Sequence, residues 1–330
     1  MADYKGIRGF TVQYLSADPP APIVGQVWYN STSATMKGRL STAGAWSSAN
    51  NMTTNRTEMG AGRTGTVTAG LVFGGDNPSP GLIDNTEEFD GTSWTEVNNL
   101  NEERAAPGYL GTQTAAMCTG GYHSAPPDPN YNEVYNGTCW TEVAQLNVRK
   151  NNPGGGGTTT AGVFAGGTPG PTQETEVWNG TSFSEDNDLN NGRTDGGFAG
   201  TVSTAALISG GNPGYQNVTE IWNGTSWTEV NVMTTGRSQF CASFGSSTAA
   251  LDAGGLTASP SVYTEKTEKW DGTSWSETGD IGSATRLGAG GGTTSSGLHA
   301  GGRSDAYPTG GQVSEVWADP VYAIKTVTTS

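Results

Sequence analysis

An all-β fold assembled from a repeated unit is what this sequence predicts, and three observations carry it. The first is a phrase said several times over: 220–227 reads EIWNGTSW, 268–275 EKWDGTSW, 87–94 EEFDGTSW, 133–140 EVYNGTCW and 176–183 EVWNGTSF. The second is a series of Gly-Gly pairs beginning at residues 74, 120, 166, 210, 254 and 301, with spacings of 46, 46, 44, 44 and 47. Self-similarity at a steady period of this size marks a repeat architecture. The third is local. Trp, Tyr, Val and Thr flank Asp-Gly or Asn-Gly dipeptides, and no stretch shows the apolar period of a helix.

In chain order, residues 1–24 precede the repeats. Residues 10–15 (FTVQYL) alternate as a strand does, and 18–22 (DPPAP) read as an extended linker, because Pro fixes φ and has no N–H for a ladder. Strands are expected at 26–29 (QVWY), 35–40 (TMKGRL) and 46–49 (WSSA). From Met52 the repeat governs. An Arg opens each copy: Arg56, Arg104, Arg149, Arg193, Arg237 and Arg286. A Gly-rich strand follows, then a strand of small apolar residues ending in Gly-Gly, then a loop that differs in every copy. The unit closes on the Glu-x-aromatic hairpin. Its turn is read as type I′ at Asp90-Gly91, Asn136-Gly137, Asn179-Gly180, Asn223-Gly224 and Asp271-Gly272, since Asn, Asp and Gly tolerate the positive φ that turn needs. Asn-Gly-Thr also spells a glycosylation acceptor, but the turn explains the same residues, and two copies carry Asp.

Four strands per unit without a helix describe the blade of a β-propeller. The small first strand suits crowding about an axis, and the aromatics of the third and fourth suit the wider gaps between blades. A sixth hairpin starts at Glu315-Val316-Trp317 and stops at Ala318-Asp319-Pro320, without its second strand. An orphan fourth strand stands at Trp46. The expectation is therefore a six-bladed propeller of four antiparallel strands per blade, closed by the N-terminal strand, which also removes a free sheet edge. The expected divisions are an N-terminal docking segment and linker at 1–45, the propeller at 46–320, and a C-terminal tail at 321–330.

The Gly-Gly pairs followed by aromatics resemble kelch repeats over about residues 46–317, with one departure: the two aromatics of each hairpin, Trp222 and Trp227, stand closer than in that pattern. The paired Gly-His and Trp-Asp signatures of WD40 blades do not recur from copy to copy. Separately, 25–32 (GQVWYNST), Met36-Lys37-Gly38 and Ala45-Trp46 resemble a short module found near the start of tailed-phage virion proteins, particularly marine and cyanophage ones. This resemblance implies a non-enzymatic virion structural protein, made in the host cytoplasm and carried on the tail or capsid surface. It would act in protein–protein interaction or host attachment at a tail fibre, docking on other virion proteins through residues 1–30 and forming homo-oligomers on the particle. A capsid decoration protein and a propeller lectin for host glycans are the alternatives, with a glycan-cleaving enzyme behind them.

Composition narrows the partners. With 16 Lys and Arg against 31 Asp and Glu, the net charge is −15, which opposes binding to nucleic acid and anionic lipid. No apolar run is long enough to cross a membrane, and the first residues lack the pattern of a signal peptide. Cys118, Cys139 and Cys241 are too scattered for a disulfide framework or a zinc site. No nucleophile, phosphate-loop or metal motif occurs, so neither catalytic residues nor a cofactor nor a metal is expected.

The repeated Arg residues and the repeated Glu87, Glu133, Glu176, Glu220, Glu268 and Glu315 read as one internal ion pair per blade, because a feature present six times is scaffold. Binding is expected instead on the face where the variable loops after each Gly-Gly emerge. These loops hold Tyr122, His123, Tyr131, Tyr215, Tyr263, Arg303 and Tyr307. Aromatics and Arg on scaffolded loops are what recognition surfaces use.

Overall fold

The computed structural model describes residues 12–23, 25–41, 44–79, 81–123, 130–240, 242–257, 262–308, 310–319 and 322–327. Of the expected docking segment and linker, residues 1–11, 24, 42 and 43 lie outside these, as do residues 124–129 of the loop after Tyr122 and His123, and Cys241. The regular elements described are all strands. They form seven four-stranded sheets, one more than the six expected. The chain divides into two compact units, 1–44 with 319–330, and 45–318.

The seventh sheet belongs to the smaller unit. Gln13–Leu15 runs parallel to Val27–Asn30, which lies antiparallel to Thr35–Ser41. Thr35–Ser41 in turn pairs with Tyr322–Thr326, setting Ile324 opposite Arg39. Within the expected tail, Tyr322–Thr326 is thus a strand, whose Tyr, Ile and Thr suit one and which finds a partner edge. At the centre of this unit Trp28 is fully buried, and its Nε1 donates to Asp18 Oδ1 at 3.0 Å. Asn30 Nδ2 donates to the same oxygen at 2.7 Å, and Lys37 Nζ to Asp18 Oδ2 at 2.8 Å. These three donors, Lys37 foremost, hold the Asp18 carboxyl down at about 2.

The larger unit carries the six repeat sheets. In the fourth, Gly197–Val202, Ala205–Ser209, Thr219–Trp222 and Trp227–Val230 lie in sequence order, all antiparallel. The sixth differs in origin. Ala289–Thr293, Ser296–Ala300 and Ser314–Ala318 are joined at the outside by Ala45–Ala49, with Trp317 opposite Trp46. Trp46 behaves like the other fourth-strand tryptophans. Its Nε1 donates to Thr267 Oγ1 of the preceding sheet at 3.1 Å, as Trp275 does to Thr219 and Trp227 to Thr175, both at 2.9 Å.

Packing explains the order of residue sizes within a unit. Adjacent sheets share apolar clusters, such as Leu71 and Phe73 of the first against Ala116, Tyr135 and Trp140 of the second. Phe164 of the third likewise meets Leu110 and Met117 of the second. The innermost strands press against one another and admit little beyond hydrogen at Cα. A Cβ on Gly156 would lie 2.7 Å from the Phe198 ring and 3.0 Å from the Gly200 carbonyl oxygen. The second Gly of each pair has a different reason: Gly211 sits at φ 102°, where an L side chain is strained.

The hairpin turns differ from the type I′ expectation. Trp222 pairs with Trp227, leaving four residues between them, and only Gly224 takes a positive φ, at 92°. Asn223 Oδ1 accepts from the backbone N–H groups of Thr225 and Ser226, both at 2.9 Å. Asp90, Asn136, Asn179 and Asp271 do the same in their own copies. The side-chain oxygen supplies the bonds that a tighter backbone turn would have made, which is why Asp serves as well as Asn.

Candidate functional site

Two sets of side chains converge inside the larger unit, one repeated and one not. The repeated set is the Arg–Glu framework. Arg56, Arg104, Arg193 and Arg237 are fully buried and pair through Nη2 with Oε1 of Glu87, Glu133, Glu220 and Glu268, at 2.6, 2.6, 2.5 and 3.0 Å. Nη1 of each donates to two main-chain carbonyls, that of the first Gly of the pair and that of the residue before the third strand. For Arg193 these are Gly210 and Val218, both at 3.0 Å. Backbone N–H groups of the preceding loop complete the carboxylate, as Asn190 and Asn191 do for Glu220. The network is buried, and its carboxylates and Nη groups are hydrogen-bonded, while Arg56 Nε has no partner among the described residues. Burial pulls the Arg56 and Arg193 guanidinium pKa values down while the facing carboxylates push them back up.

Two of the six Arg residues named from the sequence do not hold this place. The bridge partners align Asn151 and Arg286 with Thr194 and Ser238, so the position before them falls to Lys150 and Thr285. Arg149 and Arg286 are each one residue out of register. Lys150 is buried and its Nζ donates to Glu174 Oε2 at 3.0 Å, while Glu176 accepts from Asn147 and Val148. Thr285 Oγ1 donates to the Ser283 carbonyl at 2.9 Å, as Arg193 Nε does to that of Asn191. Among the described residues, no guanidinium therefore lies beside Glu315. It accepts from Gly282 N at 2.9 Å and lies 3.8 Å from His299 Nδ1.

The second set varies from copy to copy. Two residues beyond the Arg position, each repeat places a non-glycine residue in the left-handed region: Glu58, Ala106, Asn152, Asp195, Gln239 and Leu287, with φ between 52° and 59°. Backbone bonds link five of the six neighbouring pairs. Ala106 N donates to Glu58 O, Asn152 N to Ala106 O, Gln239 N to Asp195 O, Leu287 N to Gln239 O, and Glu58 N to Leu287 O, at 2.7 to 3.0 Å. A left-handed conformation costs a non-glycine residue about 1–3 kcal/mol, and such strain gathers at functional positions. Here it is repeated with a different side chain each time, so the backbone is scaffold and the side chains are free to be specific.

These residues line a cavity of about 80 Å³ bounded by all six repeats. Arg63 reaches into it, buried. Its Nη1 donates to Phe198 O at 2.5 Å and Ser243 O at 2.6 Å, and its guanidinium lies 4.1 Å from the Tyr109 ring centroid. Among the described residues no carboxylate comes within ion-pair distance of Arg63. Burial depresses its pKa. Glu58 and Asp195 also line the cavity, and both carboxyls are raised, burial being the main cause, with Arg303 opposing it at Glu58 and Asn212 at Asp195.

The loop residues expected to bind divide among four places. Arg303 stands behind the cavity wall, with Nη2 at 3.2 Å from Asp76 and 3.7 Å from Glu58, which lines it. Tyr122 stands within the field of Glu58 and Asp76, its hydroxyl pushed up to about 12, mainly by burial. Tyr263 joins indirectly: Arg286 lies 5.1 Å above its ring and donates to the Gln239 side chain. His123 and Tyr131 pack edge to face at 6.0 Å. Tyr307 is half exposed and lines a different cavity, and Tyr215 sits in the left-handed region of its own loop.

Reading the sequence missed Glu58, Arg63, Asp195 and Gln239. Aligning the six copies on the Arg position and reading two residues onward would have found Glu58, Asp195 and Gln239, as a column in which nothing repeats. Arg63 has no counterpart in the other copies and gave no such signal. Among the described residues, no three His, Cys, Asp or Glu side chains converge as metal ligands.

A solved structure entitled "Structure of YjhT" is similar to this chain at 10% identity, with a TM-score of 0.65, over 83% of this chain and 99% of that one. At that identity the likeness speaks for a propeller-like fold alone. No protein family and no curated protein matches the sequence.

Proposed function

We propose that this chain is a non-enzymatic structural protein of a phage particle. In this reading the smaller unit docks it to other virion proteins, and the larger unit is a closed six-bladed kelch-type propeller that presents its variable loops to a partner. Closure is supported by Ala45–Ala49 completing the sixth sheet and by the bond from Glu58 N to Leu287 O, which joins the first repeat to the last. The phage assignment rests on the module at 25–46, whose strands Val27–Asn30 and Thr35–Ser41 belong to the smaller unit.

One observation carries the recognition role. Six equivalent left-handed positions hold six different side chains around one polar cavity, with Arg303 and Tyr122 beside it. A scaffold that repeats while its presented groups vary suits selection of one partner. The volume of about 80 Å³ falls well below the roughly 300 Å³ at which small-molecule sites begin. That favours insertion of a protruding side chain from a protein partner over enclosure of a sugar ring, and so ranks attachment by protein contact above a lectin or a glycosidase.

The test is particle adsorption. Particles carrying Tyr122→Ala with Arg303→Ala should incorporate the chain normally and adsorb to host cells at least about tenfold more slowly, the size expected for losing contacts worth 1.4 kcal/mol. Unchanged adsorption would remove this face from the proposal. Failure of the unaltered chain to copurify with particles would remove the virion assignment.

A further inference from the structure

The break in the Arg–Glu framework at the sixth repeat leaves a cavity. In four repeats a guanidinium fills the space between three acceptors: the Glu carboxylate, the first carbonyl of the Gly-Gly pair, and the carbonyl preceding the third strand. The equivalents in the sixth repeat are Glu315, Gly301 and Val313, and the backbone frame around them is unchanged. Gly301 N donates to Val313 O at 2.8 Å, just as Gly210 N donates to Val218 O at 2.9 Å. What changes is the occupant. Thr285 stops short at the Ser283 carbonyl, and a cavity of about 270 Å³ lies beyond it, lined by Thr285, His299, Gly301, Val313 and Glu315.

Glu315 is 7% exposed, so its carboxylate is nearly as buried as the four that face guanidinium groups. A buried carboxylate needs compensating donors. Glu220 has three backbone or side-chain N–H donors besides its Arg, whereas Glu315 accepts from Gly282 N alone among the described residues, with the His299 ring at 3.8 Å and turned toward the Gly301 carbonyl at 3.1 Å. The mouth carries Tyr307, 49% exposed, and Asp305, which adds an acidic rim and a flat ring. A planar cation with a fork of N–H donors matches a carboxylate and two carbonyls held in this arrangement, and a net charge of −15 draws cations in.

We propose that this cavity is a binding site for an alkylguanidinium group, which enters from outside and takes the place that the chain's own Arg takes in the other repeats. The group belongs either to an Arg side chain of a partner protein or to a free small molecule; the recognising chemistry is the same. In either case the aliphatic stem lies against Tyr307 and the fork reaches Glu315 and the Val313 carbonyl, beside the His299 ring that holds the Gly301 carbonyl at 3.1 Å.

The full chain is titrated by calorimetry at neutral pH with N-acetyl-arginine amide, with methylguanidinium, and with a Gly-Arg-Gly peptide blocked at both ends. N-acetyl-citrulline amide, the neutral isostere, is the control. Saturable binding of one molecule per chain is expected for the guanidinium compounds and none for the citrulline compound. Glu315→Gln should weaken binding by at least about tenfold, the effect of losing one charge-assisted pair. Thr285→Arg, which restores the repeat's own guanidinium, should abolish binding and raise the melting temperature; if that variant fails to fold, Glu315→Gln still decides. Tighter binding of the peptide than of methylguanidinium assigns the site to a partner's Arg, and the reverse assigns it to a small molecule. Absence of binding, equal binding of citrulline, or binding indifferent to Glu315→Gln would overturn the proposal.

Discussion

Arg237 shows what a single residue does in this molecule. Its guanidinium is fully buried, pairs with Glu268 at 3.0 Å and caps the carbonyls of Gly254 and Lys266. Replacing it with Ala strands a carboxylate in the interior. Breaking a buried pair from one side costs roughly 3–5 kcal/mol, so Arg237→Ala should lower the denaturation midpoint accordingly while the folded fraction keeps any partner binding. Denaturant titration of the variant checks this. Glu58 and Asp195 give a second test at this scale. Both carboxyls are raised by burial above their ordinary values of 4.5 and 3.8, so the folded state holds their protons more tightly than the unfolded state does. The stability they contribute is full below those values and is lost as pH rises through the folded ones. Replacing both with Asn and Gln isosteres, as Asp195→Asn and Glu58→Gln, should therefore flatten the fall in stability above pH 4.5, read from melting temperatures across the pH range. The sequence made the Arg and Glu columns visible because they recur. It hid Thr285 and Lys150 because Arg286 and Arg149 stand next to them, and only strand register separates neighbours.

The strand Ala45–Ala49 is the element on which the larger unit turns. It lies far in sequence from Ser314–Ala318, yet it supplies Trp46 to the contact with Thr267, Phe244 and Trp317. Removing residues 1–49 would leave Ser314–Ala318 as an open edge with unpaired N–H and C=O groups beside exposed aromatics, which invites aggregation. The truncated chain should elute as soluble aggregate or fail to fold in size-exclusion chromatography. A monomer with unchanged thermal stability would contradict the exchange. This exchange was legible, because a hairpin cut short at Trp317 and a lone Trp46 complement each other. The pairing of Tyr322–Thr326 with Thr35–Ser41 was not, since a short strand at a chain end carries no turn signal and no repeat to align it with. The turns were legible as turns and misread in type. Asn-Gly predicts I′ geometry when the two residues stand alone, but the following Thr and Ser supply N–H groups that Asn Oδ1 captures instead.

At the scale of the whole molecule, repetition and variation are separated in space. The Arg–Glu framework, the inter-sheet aromatic clusters and the Asx-bonded turns recur. The left-handed positions and the loops beside them do not. Sequence reading reached the first group through periodicity and reached the second only as loops of unlike composition, because residues that converge from six repeats share no local motif. The same separation makes the functional claim testable on an intact particle: one unit to dock, another to present a variable face. The most direct measurement is an electron cryo-microscopy map of the purified particle at a resolution that places the chain. Density for residues 12–41 and 322–327 is expected against neighbouring virion proteins, with Tyr122, Arg303 and the loops around them facing solvent. A map in which those loops are buried against the particle and the smaller unit is free, or in which the chain is absent, would contradict that claim.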